Sequence, residues 1–325
     1  MINIQIAKIF SFFSIISIIP FSLSVVLAPL NTEQMLSLVI FTAFIAGSLF
    51  YWHFRNAFAL IGISVLLAFN VLDVEHLIAF AHLELILFLV GMMIIMAFLE
   101  NRGVFNWLVT IIIKPFITRP FLLIGILLLV GALMAALVDE VTSILFMGAI
   151  MFKVLDHYGI SGKPALPFIM FLVFTTNIGS SALPVGNPIG VLIAFGAGMT
   201  FLDFLRWPFP IAIICTLVIA TIAVIQLKRT TTFSSIQEVP GSGTHLKFER
   251  IPITREIIEG ILIFIFVIAG LVMQSHLENF FGFGKNILLL GIPLIMAGTV
   301  LLLDSDNAHL YVEKVDWYTL LFFLL

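Results

Sequence analysis

Charge is what this sequence has least of. Asp, Glu, Lys and Arg make up 10% of its 325 residues, against roughly 25% in an ordinary soluble domain. Too few charges remain to cover a water-facing surface, which excludes a conventional soluble enzyme or adaptor. Cysteine is nearly absent as well: Cys215 stands alone in an apolar run, so an internal disulfide and a cysteine metal site are both excluded. The net charge of −3 leaves no basic face for nucleic acid. No HExxH, P-loop or GxSxG pattern occurs, so the sequence offers no motif for zinc proteolysis, nucleotide hydrolysis or a serine nucleophile.

What the chain has instead is apolar length. Hydrophobic residues make up 62% of it and the mean hydropathy is +1.22. A helix needs about 20 mainly apolar residues to cross the hydrocarbon core. Runs of that kind lie near 9–27, 35–52, 57–71, 77–99, 120–138, 141–155, 164–200, 207–227, 257–275 and 287–303. The run after Lys8 is longer than a signal-peptide core of roughly 7–15 residues and is taken as the first span. The expected fold is an all-α polytopic membrane protein.

One segment, 228–256, is hydrophilic, with Ser, Thr, Pro, Gly and charge but no apolar periodicity. It is a solvated linker, and the expected division is three N-terminal spans over 1–76, a first repeat over 77–227, the linker, and connecting helices over 257–325. The final "VDWYTLLFFLL" would rise only about 16 Å as a helix, roughly half of the hydrocarbon thickness. The expectation is a second repeat that is truncated. Its start aligns with an earlier segment, "HLELILFLVG" against "DWYTLLFFLL", placing Phe88 opposite Phe322.

Charge bias gives an orientation. With a cytoplasmic N-terminus, and with 120–155 entering and leaving on one side as a hairpin turned at "VDEVTS", only Arg206 and Lys285 fall outside. A single crossing there would instead put the basic linker outside, against the positive-inside bias. The hairpin also makes the two aligned segments run in opposite directions. Inverted repeats with broken elements are a transporter architecture.

Two polar constellations interrupt the apolar blocks. The first is Asp139, Glu140, Thr142 and Ser143 within "ALVDEVTSILF". An ionisable residue at the centre of a membrane helix costs about 2.5–3.5 kcal/mol by insertion scales, so adjacent acids there require a cation, a proton or a polar cavity. Their carboxylate and hydroxyl oxygens suit a hard cation such as sodium. Burial favours the protonated form of a carboxylate, which makes Asp139 or Glu140 a candidate proton carrier. A surface loop carrying the same acids would need no such chemistry.

The second constellation is "TTNIGSSALPVGNP", Thr175 to Pro188. Its prolines and glycines cannot continue a regular helix, and non-helical backbone at membrane depth persists only when buried in protein or lining a watery cavity. The unwound stretch exposes carbonyls, and the half-helix starting near Pro188 turns its positive end inward. The plain alternative is an extramembrane loop in which Asn177, Ser180, Ser181 and Asn187 are turn formers. His76 and His82 are off a common face and are expected to be interfacial, as is Glu84. "NRGVFNWLVTIIIKPF", with Arg102, Trp107 and Lys114 around an apolar face, is expected to lie on the membrane. Asp304 and Asp306 are expected in a surface loop.

The pair "VDEVTSILFMGAI" and "TTNIGSSALPVGNPIGVLIA", preceded by "ILFLVGMMIIMAFLENRGVFNWL", resembles the ion transporter superfamily of arsenite permeases, sodium/proton antiporters and citrate and dicarboxylate carriers. The resemblance covers roughly 77–226. It implies a re-entrant hairpin tip at Asp139, Glu140, Thr142 and Ser143, and a helix break at Asn177, Gly179, Ser180, Ser181, Gly186 and Asn187, which together bind coupling ion and substrate. A sodium ion would fall to Asp139, Thr142, Ser143 and Asn177. Glu140 stands where the family usually has Asn, and Ile189 and Gly190 where it tends to have Pro and Asn. The implied protein is not an enzyme. It is an ion-coupled secondary transporter of the plasma or inner membrane, moving sodium or protons with or against a small anion, without other cofactor, with a homodimer as a candidate assembly and residues 228–256 cytoplasmic. An intramembrane enzyme using Asp139 with a later acid, or a membrane scaffold without a site, are the alternatives.

Overall fold

The computed structural model describes residues 30–230 and 251–325. The span expected at 9–27 and most of the hydrophilic linker lie outside the described residues. In chain order the helices are α1 (Thr32–Phe50), α2 (Arg55–Ala68), α3 (Val74–Phe80), α4 (Leu83–Asn101), α5 (Val104–Ile113), α6 (Pro120–Leu137), α7 (Glu140–His157) and α8 (Leu166–Ser180). They continue as α9 (Pro188–Gly196), α10 (Phe201–Arg206), α11 (Pro208–Thr230), α12 (Arg255–Phe281), α13 (Ile287–Leu303), α14 (Ala308–Glu313) and α15 (Trp317–Leu324). Single 3-10 turns link several of them, including Trp52–Phe54 and Pro184–Gly186.

Five stretches among the described residues are long and apolar enough to cross a membrane: Thr32–Phe50, Leu83–Asn101, Pro120–Leu137, Phe201–Arg229 and Arg255–Phe281. Their outward faces are apolar too. On α11, Ile211, Ile214, Val218, Ile222 and Ile225 recur at helical spacing and are all exposed. In water such a stripe would drive aggregation; against acyl chains it costs nothing. The chain is an all-α polytopic membrane protein.

The chain forms two compact units. One comprises the chain up to Ile86 with Asp316–Leu325. Here α1 opens on a reciprocal cap, Asn31 accepting from the Gln34 amide at 2.8 Å and Gln34 accepting from the Asn31 amide at 3.1 Å. Satisfying two orphan donors at once is what lets a helix begin this abruptly. α2 packs against α1 and α15.

The other unit is Leu87–Val315. Its centre is α6, which packs against α7, α8 and α11 and buries Leu123, Ile124, Leu127, Leu128 and Ala135 completely. α12 and α13 pair beside this bundle.

Two expectations need correction, and a third is incomplete. The span expected from residue 77 begins at Leu83, because Asp73 caps a separate short helix and His82 takes a left-handed φ of 45°. Arg102 does not share a face with Trp107 and Lys114. It precedes α5 at the left-handed Gly103 and turns inward to Asp304, 3.1 Å away, and Glu259, 3.5 Å away. Asp304 and Asp306 do lie in a turn, but Asp304 is not free: its side chain is 10% exposed and also accepts from the Tyr311 hydroxyl at 2.5 Å and from Asn307 at 2.9 Å. Linear hydropathy finds the turn but not the pairing, because Arg102 lies 202 positions away.

Candidate functional site

Two helix starts and one helix end define the site. α6 ends at Leu137, and the chain reverses through Val138 and the extended Asp139 (φ −172°). The Asp139 carboxylate accepts from the Thr142 amide at 2.8 Å, an N-cap that starts α7 immediately with Glu140 at its first position. A carboxylate there is favoured by the helix dipole. The second start is built in the same way. Asn187 is extended (φ −159°), its Oδ1 accepts from the Gly190 amide at 2.7 Å, and Pro188 supplies a first helical residue whose missing N–H costs nothing. The expected half-helix does begin at Pro188. The helix end is Ser180, where α8 stops before Leu183 turns extended and Pro184–Gly186 forms one 3-10 turn.

Side chains join the three ends. The Ser180 hydroxyl lies 3.1 Å from Glu140 Oε2 and 3.0 Å from the Asn177 carbonyl, and it accepts from Asn187 Nδ2 at 3.1 Å. A hydroxyl has one proton, so Ser180 donates to Glu140 or to the Asn177 carbonyl, not to both. Ser180 is buried, and Ser143 is buried with no partner for its hydroxyl. Glu140 forms no ion pair with a Lys, Arg or His among the described residues.

Close backbone approach makes this possible. A Cβ on Gly179 would stand 2.1 Å from the Ala132 carbonyl oxygen, and one on Gly186 would stand 2.2 Å from that of Ser180. Only glycine lets α8 press against α6 and lets the break fold back over the end of α8. By length, α6 with 18 residues rises about 27 Å, close to the thickness of a hydrocarbon core, whereas α8 with 15 rises about 22 Å. The Glu140–Ser180 bond puts the α6–α7 turn level with the end of the shorter helix.

Of the ten site residues expected, the structure brings Glu140, Ser180 and Asn187 into one hydrogen-bonded chain, with Asp139 capping beside it and Gly179 and Gly186 permitting the approach. Thr142 contributes its backbone amide. Asn177 is exposed and donates to the Val173 carbonyl one turn back; Ser181 is likewise exposed and donates to Ile178. Neither is bonded to the acidic turn. Among the described residues no group of three or more His, Cys, Asp and Glu could hold a metal. His76 and His82 have separate partners, Asp73 at 2.7 Å and Glu84 at 2.9 Å.

One polar centre escaped the sequence reading. Glu278 on α12 is buried and accepts from Gln274 Nε2 at 3.2 Å, the Asn286 amide at 3.2 Å and the Leu288 amide at 2.9 Å. Asn286, with φ 63°, accepts from Gln274 at 3.0 Å and donates to the Ala194 carbonyl at 3.0 Å. The turn between α12 and α13 thus caps the far end of α9. The signal was present as Gln274 and Glu278 at i and i+4 inside an apolar helix, a spacing that puts both on one face.

Comparison with known proteins places this arrangement. An uncharacterized transporter of Mycobacterium tuberculosis is 31% identical over 242 residues, covering 74% of this chain and 53% of the relative. A 46 kDa membrane protein of Mycobacterium leprae is 29% identical over 248 residues, with the same coverage of 74% and 53%. The silicon efflux transporter LSI3 of Oryza sativa is 29% identical over 151 residues, 46% of this chain and 30% of that protein. The chain spans about half the length of the mycobacterial relatives it matches. The citrate transporter family, CitMHS, matches residues 38–324, and this multi-span membrane chain belongs to that family.

Proposed function

We propose that this chain forms part of an ion-coupled secondary transporter that moves sodium or protons with or against a small anion by alternating access. The observation that carries this reading is the Glu140–Ser180–Asn187 chain, in which an acid at a helix turn meets a helix break with no cationic side chain among the described residues paired to it. A carboxylate so placed calls for a mobile cation: a proton, or a sodium ion sharing the Glu140 oxygens with the hydroxyls of Ser180 and Ser143.

The two neighbouring helix starts complete the chemistry. The N-terminal ends of α7 and α9 carry partial positive charge, which suits an anionic group of the substrate, and half-helix ends serve this role in broken-helix transporters. The family description makes citrate the first anion to test. A coupling cation at Glu140 would neutralise the acid and so allow an anion to approach.

Flux of radiolabelled citrate in vesicles containing the full-length protein, under imposed sodium or proton gradients, tests the reading. Accumulation that follows one of the gradients is expected. Citrate movement indifferent to both would overturn coupling, and no citrate movement together with sodium/proton exchange would assign antiport without that anion.

A further inference from the structure

Arg55 is the first residue of α2 and is 9% exposed. Its guanidinium carbon lies 4.4 Å from the ring centre of Tyr318, 4.5 Å from that of Trp52 and 5.5 Å from that of Phe322. Among the described residues its one hydrogen bond is long, from Nη2 to the Thr319 hydroxyl at 3.4 Å, and no carboxylate pairs with it. Arg102, by contrast, faces two acids, Asp304 and Glu259.

A buried guanidinium without an acid needs another source of negative charge. Ring contacts engage its faces, whereas its five N–H donors lie in its plane. The aromatic cage therefore holds the charge in position and leaves most of the donors unspent. Asp316, at the start of α15, directs its carboxylate to the Thr319 amide at 3.0 Å. Next to Arg55, the Asn56 amide donates to the Tyr318 carbonyl at 2.8 Å, which leaves its Oδ1 buried with no donor. The donors left unused at this corner are those of Arg55, since the Asn56 Oδ1 is enclosed.

A caged guanidinium with free donors suits a phosphate. Arg pairs with phosphate oxygens through two parallel N–H bonds. Trp52 at 58% and Tyr318 at 43% remain exposed, and exposed Trp and Tyr at helix ends belong at the headgroup level of a bilayer. We propose that Arg55 binds the phosphate of a phospholipid headgroup.

The full chain, purified in mild detergent and stripped of lipid, would be titrated with phosphatidylglycerol, with diacylglycerol of the same acyl chains, and with inorganic phosphate. Bound lipid is read by native mass spectrometry. Phosphatidylglycerol is expected to bind at least about tenfold more tightly than diacylglycerol, a difference of roughly 1.4 kcal/mol. Arg55→Gln should abolish that preference and Arg55→Lys should keep part of it, with helicity by circular dichroism unchanged. Equal binding of the two lipids to the unaltered chain overturns the proposal, even if Arg55→Gln fails to fold. So does a folded Arg55→Gln that retains the preference. Inorganic phosphate that displaces the lipid at comparable concentration would reassign the corner to a soluble anion and overturn the lipid source.

Discussion

Glu140 and Ser180, forty positions apart, meet at 3.1 Å where the turn into α7 faces the end of α8. If this carboxylate carries the coupling ion, Glu140→Gln keeps the shape and an acceptor oxygen but loses the charge. Ion-driven citrate flux in vesicles should fall at least about tenfold, the equivalent of roughly 1.4 kcal/mol of lost ion binding. Gradient-independent exchange should persist. Unchanged coupling in Glu140→Gln would remove Glu140 from the ion path.

Gly179→Ala should destabilise the protein by about 1–3 kcal/mol, the usual cost of overpacking. The new Cβ would meet backbone, the Ala132 carbonyl at 2.1 Å, and backbone cannot swing aside. Gly148→Ala on α7 is the matched control: nothing lies within 4 Å of its added Cβ, so helix propensity should stabilise it by up to about 1 kcal/mol. Thermal midpoints in detergent of opposite sign for the two variants check the argument.

Asn187 performs two jobs that substitution separates. Asn187→Ala loses the α9 cap, about 1 kcal/mol, together with the bond to Ser180. Asn187→Asp keeps the cap but removes the donor and adds a second acid beside the Glu140–Ser180 pair. Stability should therefore recover in Asn187→Asp while transport does not. Parallel recovery of both would mean that Asn187 only caps.

Glu278→Ala strands the Leu288 and Asn286 amides and the Gln274 amide in a buried place, at a cost of about 3 kcal/mol. Hydrogen exchange should accelerate in the first turn of α13 and, through Asn286 and the Ala194 carbonyl, at the end of α9. Exchange at α9 that stays unchanged would show that the cap is not cooperative.

Asp304 makes acid stability testable. The Tyr311 hydroxyl, with Asn307 and Arg102 adding to it, holds its carboxyl below the ordinary value of 3.8, against the opposing effect of burial. A depressed carboxylate contributes stability above its unfolded pKa and loses it as pH falls through the folded one. The thermal midpoint should drop as pH is lowered from about 6 to about 3, and Asp304→Asn should flatten that slope. An identical slope in the variant would assign acid sensitivity elsewhere.

Legibility differed from residue to residue. The helix break at Ser180 to Pro188 was readable because proline and glycine act on their own backbone, and the turn into α7 was readable because the polar "VDEVTS" interrupts two apolar runs. Asn177, expected at the ion site, turns its amide nitrogen back to the Val173 carbonyl, a direction set by helix rotation rather than by residue type. Arg55 and Arg102 look alike in the sequence, each a lone cation flanked by apolar stretches. One is caged by rings and the other is paired with acids.

The sequence by itself determined that the chain enters a membrane as helices, because transfer of apolar side chains sums locally over a span, and it determined the break before Pro188, though not the start of the span at Leu83. The tertiary structure decided which polar groups meet: Glu140 with Ser180, Arg102 with Asp304, Asn286 with the end of α9. Those contacts depend on side-chain directions set by helix packing and on glycines that let backbones touch. Neither is a property of any single stretch of chain.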